Sequence, residues 1–383
     1  MPSQQNVSFG IKFAVFLVGV FAFLQVYAIQ AILPVLQRQF MATPPQMGIT
    51  IAMTVLAIAL VSPIMGLISD SYGRKCFIVG ATLCLALPTL LLAFSTSLHE
   101  FNFWRFTQGL CVPFMTVVLL AYIGEEFPQM ASRLTATYVS GTVLGGFLGR
   151  FILGHFEPII GYQATLQAMA LSMLSAAILL YIVLPNSHNF VANRDMRHSL
   201  GILRQHLGNR QLLTACTLGA CVLFSLVGCF TFINLHLAAA PYHLSTAMLG
   251  NIFSVYLIGV IVTPLSGKLV ARMSAKRVTG AAVVLSIIGV LLTLATPIAV
   301  IIVGLTVMSI GVFITQTATI SYTNQHLTHG RSLGLGLYYM AYYTGGSIGA
   351  WVCGLGYQSA HWLGVVGLIL FVQLLGLVII RRL

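Results

Sequence analysis

The stretch GLISDSYGRK, residues 66–75, lies where one long apolar run ends and the next has not begun, and its reading decides the fold. Asp70, Arg74 and Lys75 are three of only 24 charged residues in a chain of 383. The apolar runs on either side are each long enough to cross a bilayer, so the stretch reads as a tight, charged turn between two membrane helices. Gly66 and Gly73 suit such a turn, because glycine allows both a sharp bend and close helix approach. The whole chain has this character. It is 58% hydrophobic and 6% charged, against roughly 25% charged residues in a soluble domain.

That composition leaves no room for a soluble catalytic domain. No carboxylate pair, nucleophile triad or metal cluster suggests an enzyme. The seven cysteines contain no CxxC pair, so neither a disulfide framework nor a zinc site is implied. No GxxxxGK[ST] sequence is present, and ATP is therefore not the direct energy source. No cofactor is expected.

Apolar runs of about 18 to 26 residues predict twelve spans. The first six lie near residues 11–36, 46–69, 77–97, 101–123, 132–154 and 164–184; the second six near 212–235, 246–270, 278–296, 299–322, 332–357 and 362–380. Strict alternation is missing from these runs, which excludes a β-barrel. The first run lacks a small-residue cleavage site and reads as a retained helix. The longest polar stretch divides the spans six and six. The expected organisation is a six-helix bundle over 1–184, a linker over 185–210 and a second six-helix bundle over 211–383. In the linker, Leu200, Leu203 and Leu207 fall at helical spacing, with Arg204 and His206 available to water. A short helix lying on the membrane surface and a plain loop both fit.

Of the 18 Lys and Arg, 15 fall on the side of the termini, Arg38 falls on the other, and Arg105 and Arg150 lie inside spans. Positive residues favour the cytoplasm, so both termini are expected there, in an inner or plasma membrane. The net charge of +12 is scattered over helix ends rather than gathered on one stripe. It therefore speaks for the lipid bilayer and against nucleic acid. Nothing demands more than a monomer.

The halves echo each other. SPIMG at 62–66 recurs as TPLSG at 263–267, and GGFLG at 145–149 recurs as GGSIG at 345–349, offsets of 201 and 200. Two anchors sharing one offset argue for duplication of a six-helix unit, with a path between the halves.

These motifs carry a family resemblance. GLISDSYGRK is similar to the G-x-L-x-D-x-x-G-R-K signature between helices 2 and 3 of the major facilitator superfamily, with Ile68 in place of Leu. RFTQG at 105–109 matches its R-x-x-Q-G signature in helix 4. GTVLGGFLGR at 141–150 resembles the helix 5 antiporter signature G-x-x-x-G-P-x-x-G-G, with Gly146 replacing Pro and Arg150 replacing the last Gly. The chain resembles, within that superfamily, the twelve-helix drug:proton antiporter and arabinose-efflux-like branch. The resemblance implies an all-α membrane protein of twelve transmembrane helices in two pseudo-symmetric six-helix bundles. It also implies a secondary active transporter working by alternating access.

Proton-coupled efflux of a drug, sugar or anionic metabolite is the expected activity. An uptake carrier or passive uniporter is the main alternative, and a non-transporting membrane sensor a distant one. The partners expected are a small-molecule substrate and protons.

Asp70 could accept hydrogen bonds from the start of helix 11, where Ser332 could cap. The resemblance implies that this forms a conformational latch of Gly66, Asp70, Gly73, Arg74, Lys75, Glu126 and Ser332, with Glu125 beside it, holding the outward-facing state. Arg105 and Arg150 either snorkel to the surface or face inward, where they would make the outer half of the path positive. With Gln108 they are cavity or coupling candidates.

No acidic residue falls mid-span, which disfavours organic cations and leaves the proton carrier unassigned; His236 could titrate but suits an interfacial hydrogen bond better. The substrate-lining candidates are Gln25, Tyr27, Gln30, Tyr138, Asn234, Tyr256, Gln316 and Tyr339. Gly141, Gly145 and Gly149 form overlapping small-xxx-small steps and suit tight packing of helix 5.

Overall fold

A computed structural model describes residues 9–69, 74–187, 196–327 and 331–381. Among them ten continuous helices are long and apolar enough to cross a membrane. Two of these, Arg133–Val183 and Leu333–Ile380, have 51 and 48 residues, about twice the length a bilayer needs. Each is two spans joined at a break. Gly161, at φ +80°, divides the first, in a backbone region open to glycine. Ala360 and His361 divide the second. The protein is thus an all-α membrane protein of twelve spans.

The spans are α1 (Phe9–Gln39), α2 (Pro44–Ser69), α3 (Arg74–Leu92), α4 (Leu98–Glu126), α5 (131–160) and α6 (162–183) in the first half. In the second half they are α7 (Arg210–Ala238), α8 (246–272), α9 (Ala275–Leu292), α10 (Ile298–His326), α11 (331–359) and α12 (362–380). Polar residues start the helices where the apolar pattern begins. Ser97 accepts from the Glu100 N–H, Asn209 from those of Gln211 and Leu212, and Ser274 from that of Arg277, occupying donors that a helix start leaves free. Between the halves Met196–Leu207 is helical, so the linker contains a short helix. Arg204 is exposed as its spacing suggests, but His206 is buried, 5% exposed. A water-facing position for His206 is therefore corrected: the helix packs down on the bundle rather than standing off it.

The internal repeat governs the packing. In the first half the Cα–H faces of Gly145 and Gly149 lie on the backbone of Val20 and Leu24; in the second, Gly345 and Gly349 lie on Ala220 and Phe224. Both partners shift by the same 200 residues as the glycines. Small residues let α5 approach α1, and α11 approach α7, to backbone contact, which is how helices associate where no water drives them together.

The halves meet through two equivalent seams. At the end of the bundle opposite the termini, Gly154 and Arg150 of α5 pack on Thr246 and Gly250 of α8, while Gly354 and Ala350 of α11 pack on Pro45 and Gly48 of α2. Thr246 Oγ1 also donates to Glu157 at 2.9 Å. The seams then part company. α2 and α11 stay together to the terminal end, where Gly336 meets Pro63, and Ser347 donates to the Ala52 carbonyl on the way. The contacts of α5 with α8 concentrate on Thr246–Ile252, thin over Phe253–Leu257 and nearly vanish along Ile258–Arg272.

Candidate functional site

Two helices are interrupted inside the membrane. α1 loses its α geometry at Tyr27 (φ −117°, ψ 4°) and continues as a 3₁₀ turn over Ala28–Ile32; α8 does the same over Phe253–Leu257. Such turns inside a helix recur at hinges and ligand sites. Here one belongs to each half, and they meet around the same side chain, Arg150 of α5.

Arg150 is buried, 1% exposed. Its Nε and Nη2 donate to Gln30 Oε1 at 2.8 and 2.6 Å, and its Nη1 to the Gly146 carbonyl at 2.6 Å. The guanidinium carbon lies 4.9 Å from the Tyr27 ring centre, 4.2 Å from that of Phe253 and 4.8 Å from that of Tyr256. Ring faces are negative and attract a cation, the more so when both are desolvated. The positive charge is thus held by three rings and neutral oxygens. No carboxylate among the described residues pairs with it.

Gln30 has a second attachment. Its Nε2 donates to Thr231 Oγ1 of α7 at 2.9 Å, across the boundary between the halves. The bond joins the first helix of one half to the first helix of the other.

Arg105 of α4 does a different job. It is buried, and its Nη1 donates to the Gln25 carbonyl at 2.9 Å and to Gln108 Oε1 at 2.7 Å, with Nη2 on the Val26 carbonyl. Those carbonyls are the ones that the break in α1 deprives of helical partners, so Arg105 replaces the missing donors. Gln108 orients it and is held in turn by its own Nε2 on Thr89 Oγ1 at 2.8 Å. Thr54 Oγ1 donates to the Arg105 carbonyl at 2.8 Å, tying α2 to the same point. Neither arginine snorkels outward.

The structure brings several other sequence candidates near this centre. Tyr27 lies within electrostatic reach of both arginines, and Tyr343 of Tyr27, Tyr138 and Tyr339. Tyr339 packs on Tyr343 at 6.3 Å, and Tyr256 on Phe230 at 4.5 Å. Gln25 supplies a carbonyl to Arg105, while its side-chain Nε2 is buried without a protein partner. Others stand apart. Asn234 donates back to the Phe230 carbonyl of its own helix, Gln316 is half-buried on α10, and His236 is stacked on Trp362 beside Tyr242 at the far end of α7.

At the terminal end, Arg74 is buried and grips Glu125 with Nε at 3.0 Å and Nη2 at 2.5 Å, while Lys75 lies over the Tyr181 ring at 4.9 Å. Glu126 is half-buried beside Glu125. Asp70 and Gly73 lie outside the described residues, and the structure places Gly66 in α2 and Ser332 in α11 without describing their side chains.

Three participants escaped sequence reasoning: Phe253, Thr231 and Tyr343. Thr231 had only a faint signal, a hydroxyl inside an apolar run. Phe253 had none, because a phenylalanine in a membrane helix is unremarked until its neighbour carries a charge.

Two matches to the Major Facilitator Superfamily cover residues 15–242 and 228–383. The chain belongs to that superfamily. This facilitator is similar to the uncharacterized MFS-type transporter YybF of Bacillus subtilis (strain 168), 28% identical over 96% of this chain and 91% of that one. It is also similar to the inner membrane transport protein YnfM of Escherichia coli (strain K12), 30% identical over 68% of this chain and 63% of that one. Among solved structures it matches a bacterial homologue of the human lysosomal transporter Spinster, in an inward-facing and occupied conformation. The TM-score is 0.78 at 12% identity, covering 97% of this chain and 95% of that one. The facilitator fold and a transporter of a small molecule across a membrane follow, and an enzyme does not.

Proposed function

We propose that this facilitator exports a small molecule by alternating access, in exchange for protons. The observation that carries the reading is the unequal α5–α8 seam, packed at the far end and parted toward the termini, against an α2–α11 seam closed along its length. A carrier of this kind has its site at the interface of its halves and opens it to one side at a time. The Arg150 centre lies at that interface, just inside the closed end. With both termini in the cytoplasm, as the distribution of basic residues suggests, the parted end faces inward.

The division into residues 1–184 and 211–383, joined by the 185–210 linker, supplies the two moving bodies, within a single copy of the chain. The glycine contacts of α1 with α5 and of α7 with α11 support this, since each lies inside one body and keeps it rigid. The resemblance of α5 to the antiporter signature supports exchange over uniport. The 66–75 stretch is the latch that biases the two states, with the Arg74–Glu125 pair fixing α3 on α4 beside it.

The test has two arms. Spin labels at Arg133 and Arg272, on the terminal ends of α5 and α8, should give two distance populations whose ratio shifts with pH. In proteoliposomes an imposed pH gradient should drive accumulation of substrate. A single immovable distance together with gradient-independent flux would end the proposal.

A further inference from the structure

The edge of a guanidinium formed by Nε and Nη2 grips a carboxylate with two parallel hydrogen bonds. In Arg150 that edge is occupied by one neutral oxygen, Gln30 Oε1, which takes both donors. A buried cation in a membrane protein ordinarily finds an acidic partner or a water-filled path. Here the described residues give it three rings and two neutral oxygens. Gln30 therefore stands where an anion would sit.

We propose that the substrate is a small organic anion, and that its carboxylate or similar planar oxyanion docks on the Nε/Nη2 edge of Arg150 by displacing Gln30. This rests on the carrier reading given above. Displacement has a mechanical consequence, because the same Gln30 amide donates to Thr231 and so ties α1 to α7 across the boundary between the halves. An anion that takes over the Arg150 edge releases the amide, and with it a bond that holds the far end shut. A ligand shifts a two-state equilibrium only by binding one state better. The exchange of partners supplies that difference, since an amide displaced from Arg150 gives up the Gln30–Thr231 contact that joins the halves in the closed state. Tyr27, Phe253 and Tyr256 surround the guanidinium with flat faces that suit a planar body behind the charge. Cations are refused by the two arginines, Arg150 against the Tyr27 ring and Arg105 on the Val26 carbonyl.

The experiment uses the full chain in nanodiscs and four probes that share a ring: benzoate, benzenesulfonate, benzamide and benzamidine. Benzoate or benzenesulfonate should raise the melting temperature, whereas benzamide and benzamidine should not. Arg150→Gln should abolish the anion effect. Gln30→Met, which keeps the volume and removes the competitor, should tighten anion binding by about tenfold, the equivalent of one charge-assisted hydrogen bond. It should also lengthen the distance between labels at Ile159 and Met248 with nothing bound. The proposal is overturned if no anion stabilises the protein, if benzamide or benzamidine matches benzoate, or if the effect survives in Arg150→Gln. It is equally overturned if Gln30→Met weakens anion binding, which holds even should Arg150→Gln fail to fold. Arg150-dependent binding of benzoate without flux of benzoate under any gradient would leave the anion site standing and remove the carrier reading. Flux of neutral or cationic compounds unaffected by benzoate would do the opposite.

Discussion

Replacing Gly145 by alanine tests the packing that makes each half a rigid body. A methyl group there would lie 2.1 Å from the Val20 carbonyl oxygen and 2.7 Å from its Cα. Ordinary contact begins near 3.4 Å, so α1 and α5 must separate by about 1.3 Å or bend locally. Backbone cannot swing aside as a side chain can. Overpacking of this kind costs about 1–3 kcal/mol, while alanine regains up to about 1 kcal/mol of helix propensity. Gly80→Ala isolates the first effect from the second, because a methyl at Gly80 meets nothing within 4 Å. The propensity gain is common to both variants, so their difference is the clash, about 1–3 kcal/mol. At about 2–4 °C per kcal/mol, or somewhat less for a chain this long, Gly145→Ala should melt several degrees below Gly80→Ala in nanodisc fluorimetry. Gly345→Ala should fall by a similar amount, since its methyl would lie 2.2 Å from the Ala220 oxygen. Equal melting of Gly145→Ala and Gly80→Ala would refute the rigid seam. A penalty in only one half would refute its duplication.

Other consequences can be checked directly. Arg105→Lys keeps the charge but loses the fork that serves Gln25, Val26 and Gln108; a loss of about 1.5–3 kcal/mol is expected by thermal unfolding, and unchanged stability would show that the break in α1 needs no donor. Trp362→Phe removes the bonds from Nε1 to the Thr293 carbonyl and hydroxyl at 3.1 and 3.2 Å, and should cost about 1 kcal/mol in the same assay. Glu125→Gln weakens a pair that is 32% exposed on the glutamate side, so the stability change should stay within about 1 kcal/mol while the Arg133–Arg272 distance populations shift. Asp70→Asn should shift the same populations and the rate of flux; if both stay as in the wild type, the latch is wrong.

The spans were legible because a bilayer imposes one length on every crossing, and the repeat was legible because a duplicated backbone keeps its glycines where helices touch. Whether Arg105 and Arg150 snorkel or turn inward was not legible, because charge inside a span allows both; the structure buries them. Their different roles were not legible either. Arg105 serves a break at Tyr27, and the residues 25–32 contain neither proline nor glycine to announce one. Helix continuity there is decided by what the freed carbonyls find in three dimensions, and the donor comes from 79 positions away in the sequence. The Arg150 cage was partly named in advance, through Tyr27, Gln30 and Tyr256, since each is polar or aromatic inside an apolar run. Phe253 completes it only because α8 turns that face toward α5.

Two of the three rings around Arg150 belong to the half that must move. In the proposed cycle the charge cannot keep its surroundings when the far end parts, and solvent has to take the place of Phe253 and Tyr256. The poise of the empty carrier then depends on how well a few π faces imitate hydration. A more electron-rich ring at either position would hold the outer door closed more firmly, and a paler one would leave it ajar.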